Sequence, residues 1–145
     1  MKVEQIYTGC LAQGAYYIES NGEAVVIDPL REVQPYIEKA EKDNAKIKYV
    51  LETHFHADFV SGHLDLAKKT GATIVFGPTA KPAFEANVAT DGEILEIGNI
   101  KIKVIHEFRR SEVFQFTAFL FGGASRSLSA VDKSADFAHF QQFIL

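Results

Sequence analysis

Residues Ala24-Val25-Val26-Ile27 form an apolar run without a break, ended at once by Asp28-Pro29. A strand with one wet face alternates polar and apolar residues; a short unbroken run bounded by turn residues reads as a strand covered on both faces. That single demand already requires layers on either side of a sheet. The flanking segments supply them. Val3 to Tyr7 and Ala15 to Glu19 are strand-like, and Asn21-Gly22 suits a tight hairpin into the apolar run. From Val33 to Asp43 the apolar residues Val33, Tyr36, Ile37 and Ala40 recur at helical spacing. Ile47 to Leu51 returns to strand, and a Ser61-capped helix ends at Lys68, Lys69 and Gly71. Thr73 to Phe76 is a further strand, and Gly98-Asn99 turns Glu93–Ile97 back into Ile100–Ile105. Strands followed by alternating strand and helix predict a layered α/β domain. The stretch from Gly77 to Gly92, with Pro78 and Pro82, reads as a loop long enough to be functional or mobile.

Composition narrows the class of partner. The chain has 145 residues, enough for one core, and its 15 Lys and Arg against 19 Asp and Glu leave a net charge of −4. No positive field exists for a nucleic acid backbone, so nucleic acid is not expected as a partner. No apolar run approaches the ~20 residues that cross a bilayer, so no membrane partner is expected either. Cys10 is the only cysteine and reads as a small buried apolar residue. With no internal disulfide, and with the start MKVEQIYTG lacking a basic-then-apolar leader, a cytoplasmic location is expected. The composition changes near residue 106: all four prolines lie before residue 83, whereas eight of the twelve phenylalanines lie between Phe108 and Phe143. Two parts are therefore expected, 1–106 and a differently built 107–145. In the second, Val113 to Phe121 reads as a strand and the remainder shows no clear period.

The chemistry is concentrated in Glu52-Thr53-His54-Phe55-His56-Ala57-Asp58-Phe59, directly after the strand ending at Leu51. In an extended or loop segment, residues at i, i+2 and i+4 share a side, so His54, His56 and Asp58 converge while Phe55, Ala57 and Phe59 face away. On a helix the same positions would diverge by about 200° per step. Two neutral imidazoles and a carboxylate are a donor set for zinc or iron. His63, one turn further on, reads as a cap or surface residue.

Thr53-His54-Phe55-His56-Ala57-Asp58 resembles the signature of the metallo-β-lactamase superfamily. Together with Tyr7-Thr8-Gly9-Cys10-Leu11, Ile27-Asp28-Pro29 and the continuation Phe59-Val60-Ser61-Gly62-His63, it is similar to the superfamily's persulfide dioxygenase branch and its rhodanese-associated relatives. The resemblance covers residues 1 to about 106. It implies an α/β fold, the first half of an αββα sandwich, with an atypical or truncated C-terminal part. In the superfamily's two-metal hydrolases a histidine follows the motif aspartate; here that position is Phe59, which implies one metal. The resemblance thus implies Fe2+, with Zn2+ as the alternative, at His54, His56 and Asp58. In the iron reading His54 is the first ligand, and His56 and Asp58 orient it or hydrogen-bond to iron-bound water. In the zinc reading both histidines ligate and Asp58 orients the attacking water.

The chain departs from the pattern after Ile105. The family's His-Thr-Pro-Gly-His-Thr turn is replaced by His106-Glu107-Phe108-Arg109-Arg110-Ser111, so His106 matches the first histidine and Arg110 stands at the ligand position. A guanidinium cannot coordinate a cation. A later aspartate in a Gly-Asp context is also missing; Asp132, Asp136 and His139 lie near the expected distance without that context. The change predicts a truncated, fused or frame-altered product, whose apolar surface would favour a homodimer. Three functions follow from the resemblance: a mononuclear iron persulfide dioxygenase in sulfur metabolism; a zinc-dependent thioester hydrolase of the glyoxalase II kind; or a catalytically silent half-domain. The expected partner is a small-molecule thiol persulfide or thioester. Substituting Arg110→His is expected to raise metal occupancy, measured by elemental analysis of the purified protein.

Overall fold

The computed structural model describes residues 1–9, 13–57, 59–107, 115–121, 127–131 and 139–143, with side chains as far as residue 106. Cys10, Asp58, Arg110, Asp132 and Asp136 lie outside the described residues, and of His139 only the backbone is described. The chain runs β1 (Lys2–Thr8), β2 (Gln13–Ser20), β3 (Glu23–Ile27), α1 (Gln34–Lys42), β4 (Lys46–Glu52), α2 (His63–Thr70), β5 (Thr73–Phe76) and β6 (Asn87–Val88). It continues through β7 (Ile94–Ile97), β8 (Ile100–Glu107), β9 (Gln115–Phe121), β10 (Ser127–Val131) and β11 (His139–Phe143). Strands β1 to β6 form one sheet in sequence order, and β7 to β11 form a second, also in sequence order. Pairing is antiparallel from β1 to β3 and parallel from β3 to β6. The second sheet is antiparallel throughout.

Strand alternation divides the apolar residues between two cores. Ala15 and Tyr17 of β2, and Ala24 and Val26 of β3, face α1 and α2 and pack with Tyr36, Ala40 and Leu66. Their neighbours Tyr16, Ile18, Val25 and Ile27 face the second sheet and pack with Leu95, Ile97, Ile102 and Val104. The unbroken run of β3 is thus buried on both sides, as its composition demands. In β4 a bulge opposite Ala24/Val25 shifts the register, so Ile47 and Val50, three apart, reach the same helical side while Leu51 turns to the other. One helical layer and two sheets are the first half of an αββα sandwich. Among the described residues, no helix is long and apolar enough to cross a membrane.

Turn chemistry fixes the corners. Asn21 and Gly22 both adopt positive φ (52° and 80°), the requirement of the tight hairpin their sequence suggested. Gly98, at φ 53°, lets the β7–β8 turn press against the β2–β3 turn: a Cβ there would lie 1.9 Å from the Ser20 carbonyl oxygen. Its N–H donates to Glu23 at 2.8 Å, which ties the two sheets together at that end.

Four expectations change. Ser61 is not the N-cap residue of α2, which is Gly62; its oxygen accepts from the His63 N–H at 3.3 Å, while its proton is directed to Glu52. His63 neither caps nor lies free on the surface; its ring faces Glu52. The 77–92 stretch is not all loop, since β6 adds to the parallel sheet beside β5. Strands β10 and β11 form where the sequence shows no period, and β9 pairs with β8 across the compositional boundary near residue 106. Leu66 is the one fully buried residue of α2. Leu66→Ala is expected to lower stability by about 2–5 kcal/mol, read as a lower urea midpoint at unchanged slope.

Candidate metal centre

The parallel strands β3, β4 and β5 end at one rim of the sandwich. Ligands in α/β sheets gather outside the carboxyl ends of parallel strands, and the unusual residues of this chain gather there too. Asp28 follows β3, Thr53 to His56 follow β4, and Gly77 to Ala80 follow β5.

Asp28 sits at φ 49°, a left-handed conformation that aspartate tolerates better than most residues. Its N–H still donates to the Leu51 carbonyl at 2.9 Å, and the Gln13 side chain donates to its carbonyl at 2.6 Å. The turn therefore swings the carboxylate beneath the next strand end without losing backbone partners. There Asp28 Oδ1 accepts from the Thr53 N–H at 2.7 Å and Oδ2 from the Thr53 hydroxyl at 2.5 Å. With its proton committed to Asp28, the Thr53 oxygen is an acceptor for His54, whose Nδ1 lies 2.9 Å away. The His54 ring is then protonated at Nδ1, and Nε2 carries the lone pair for a ligand.

His56 lies against His54 with ring centroids 4.1 Å apart, and one donor atom each from Asp28, His54 and His56 falls within 4.8 Å of the others. A dication fits this set: two imidazoles, carboxylate charge beside them, and a fixed tautomer on His54. Of the three residues the sequence singled out, the structure brings His54 and His56 together; Asp58 lies outside the described residues. Phe55 points away, 54% exposed, and stacks on Phe76 at 5.3 Å. Phe59, at the position of the absent histidine, does not face away as its spacing suggests but lays its ring 4.2 Å from that of His56.

Two carboxylates were missed as site residues from sequence. Asp28 belongs to the quoted Ile27-Asp28-Pro29 segment, but nothing local shows that β3 and β4 are neighbours. Glu52 is 2% exposed at the end of β4, between His56 and His63. Burial pushes its carboxyl above the usual range, while His63 and Ser61 pull it back. The signal present in the sequence was an acidic residue directly after the apolar run Tyr49-Val50-Leu51. Beside His54 opens a shallow cleft walled by Phe55, Phe76, Pro78 and Ala80, with His106 from β8 on its border.

A layered α/β sandwich with paired histidines on the rim of its parallel strands defines a metal-dependent class of protein. The sequence profile of the metallo-beta-lactamase superfamily matches residues 8–123, and the chain belongs to that superfamily. It is 33% identical over 103 residues to a hydroxyacylglutathione hydrolase of Pelagibacter ubique, covering 67% of this chain and 42% of that protein. It is 34% identical over 102 residues to the cytoplasmic hydroxyacylglutathione hydrolase of Arabidopsis thaliana, covering 67% and 39%. The chain thus spans about two fifths of the length of these curated relatives. Among solved structures, a metallo-beta-lactamase from Staphylococcus aureus superposes with a TM-score of 0.75 at 30% identity, over 84% of this chain and 39% of that one. ETHE1 from Myxococcus xanthus shares the fold with a TM-score of 0.75 at 22% identity, over 83% and 54%.

Thr53→Val keeps the shape of the side chain and removes the link between Asp28 and His54. It is expected to weaken zinc binding by about 10–100-fold in a chelator competition assay, while Thr53→Ser retains the affinity.

Proposed function

We propose that this chain carries the metal-binding half of a zinc-dependent thioester hydrolase acting on a hydroxyacyl thioester of a glutathione-like thiol. The observation that carries the reading is the pair His54 and His56 on the strand rim, one of them with its tautomer set by Asp28 through Thr53. The likeness to two hydroxyacylglutathione hydrolases over two thirds of the chain supports this substrate class. In this reading His54 and His56 hold the ion, and Asp58 is a further metal-site and catalytic residue. A bound zinc ion supplies Lewis acidity and lowers the pKa of its water toward ~7. Asp28 and Glu52 offset the ion's charge from beneath the rim. The Phe55 and Phe76 rings offer the acyl part of a substrate an apolar wall beside His54.

One observation favours a second reading, oxidation of a thiol persulfide at a single iron. Phe59 places a phenyl ring against His56 at the position of a second-metal histidine, which favours one ion over two. Branch membership within the superfamily follows this choice, as does the metal.

The two readings separate on one pair of measurements with the purified full chain. Thioester cleavage of a hydroxyacylglutathione that rises with added zinc, falls at least 100-fold in His54→Ala and consumes no oxygen is the expected result. Oxygen uptake on glutathione persulfide with iron, and no thioester cleavage, would replace the hydrolase with the dioxygenase.

A further inference from the structure

Glu52 is almost wholly buried, and the reading above asks of it only a share in offsetting the ion's charge. Burying a carboxylate is costly unless its oxygens are partnered, and each oxygen of Glu52 has company. Oε1 accepts from the Ser61 hydroxyl at 2.5 Å and lies 3.3 Å from His63 Nδ1. Oε2 lies 3.5 Å from His56 Nε2. The same ring nitrogen lies 3.4 Å from Asp28 Oδ1. His56 Nε2 therefore faces two carboxylate oxygens, delivered by the ends of two different strands.

The bracing is built into the fold. Ser61 Oγ, whose proton goes to Glu52, lies 3.1 Å from the Pro29 carbonyl oxygen and accepts from the His63 N–H at 3.3 Å, and the Gly62 N–H donates to that carbonyl at 3.0 Å, so the start of α2 is fastened to the turn carrying Asp28. The contact is close enough that a Cβ on Gly62 would meet the Leu30 carbonyl oxygen at 2.2 Å, which only glycine allows. His63, the next residue, is stacked on Phe84 at 5.3 Å and meets the edge of Phe76 at 5.7 Å. Neither Ser61 nor His63 can turn away from Glu52 without disturbing this packing.

A neutral imidazole has one N–H and one lone pair. Set between Asp28 and Glu52, a lone pair on His56 Nε2 would face two negative oxygens, whereas an N–H there is attracted to both. We propose that Glu52, braced by Ser61 and His63, is a positioning residue that holds His56 as its Nε2–H tautomer and so offers Nδ1 as the donor atom. This deepens the metal reading and rests on His56 being a ligand. It makes the two rings opposite in kind, since Thr53 leaves His54 with Nε2 as its donor. The Glu52–His56 contact is the counterpart, on the second ring, of the Asp28–Thr53–His54 chain on the first.

Long-range 1H–15N correlation spectra of the full chain, labelled and free of metal, test the tautomer directly. The expected spectrum shows His56 protonated at Nε2 in its neutral form; protonation at Nδ1 overturns the proposal. Zinc affinity by chelator competition supplies the second arm. Glu52→Leu, which keeps bulk and removes the acceptor, is expected to weaken zinc about 10–100-fold, and Glu52→Gln, whose amide oxygen still accepts, to recover most of that loss. Equal weakening by both variants would overturn the assignment in favour of a simple charge effect. Should Glu52→Leu fail to fold, the wild-type spectrum still decides. If His56→Ala leaves zinc affinity unchanged, the ligand reading fails by itself, and the metal-free spectrum distinguishes that failure from failure of the Glu52 assignment.

Discussion

The Asp28 carboxylate accepts two hydrogen bonds from Thr53, one from its N–H and one from its hydroxyl, and in doing so joins the ends of β3 and β4 at the rim. Charge-assisted bonds of this kind are short and roughly twice as strong as neutral ones. Their importance is directional as much as energetic. Once the Thr53 proton is committed to Asp28, the same oxygen can only accept from His54, so a carboxylate on one strand decides which nitrogen on the next strand is offered outward. The left-handed backbone at Asp28 is the local strain that this arrangement carries, and the backbone bond to Leu51 shows that it costs no sheet pairing.

The layers explain why such a rim can be rigid. β3 and β4 are buried against helices on one side and the second sheet on the other, so their ends are fixed by both cores. The loop after β4 leaves the sheet from a fully buried Leu51, and α2 returns against β4 and β5 to close it. Residues in the loop are therefore held from beneath by Asp28 and from the side by Glu52, Ser61 and His63. Phe55 and Phe59 take the positions between, one exposed at the cleft and one against His56.

Much of this was legible in the chain itself because it is local. Strand alternation, the helical spacing of Val33, Tyr36, Ile37 and Ala40, and the Asn21-Gly22 turn each act over a few residues, and the elements they predict are present. The histidine pair was legible for the same reason: His54 and His56 need only their spacing. Asp28 and Glu52 were not identified as site residues, because their roles depend on which strands become neighbours and on where α2 begins. Ser61 shows the conflict plainly. Its local chemistry suits a helix cap and its oxygen does accept from the His63 N–H, yet its proton goes to the buried carboxylate of Glu52 and Gly62 takes the cap position. The short strand β6 was hidden within a proline-containing loop because its two residues gain their partners only from β5. Strands β10 and β11 lacked a readable period and are defined by pairing with each other and with β9.

The proposed function requires the loop after β4 to grip a divalent ion between two imidazoles. Anomalous diffraction from crystals of the full chain grown with zinc, collected on either side of the zinc absorption edge, locates such an ion without reference to any activity. The account predicts a peak at the rim, about 2.0–2.1 Å from a nitrogen of His54 and a nitrogen of His56. Zinc found only at other surface sites, with both rings bare in crystals grown with excess metal, would contradict it.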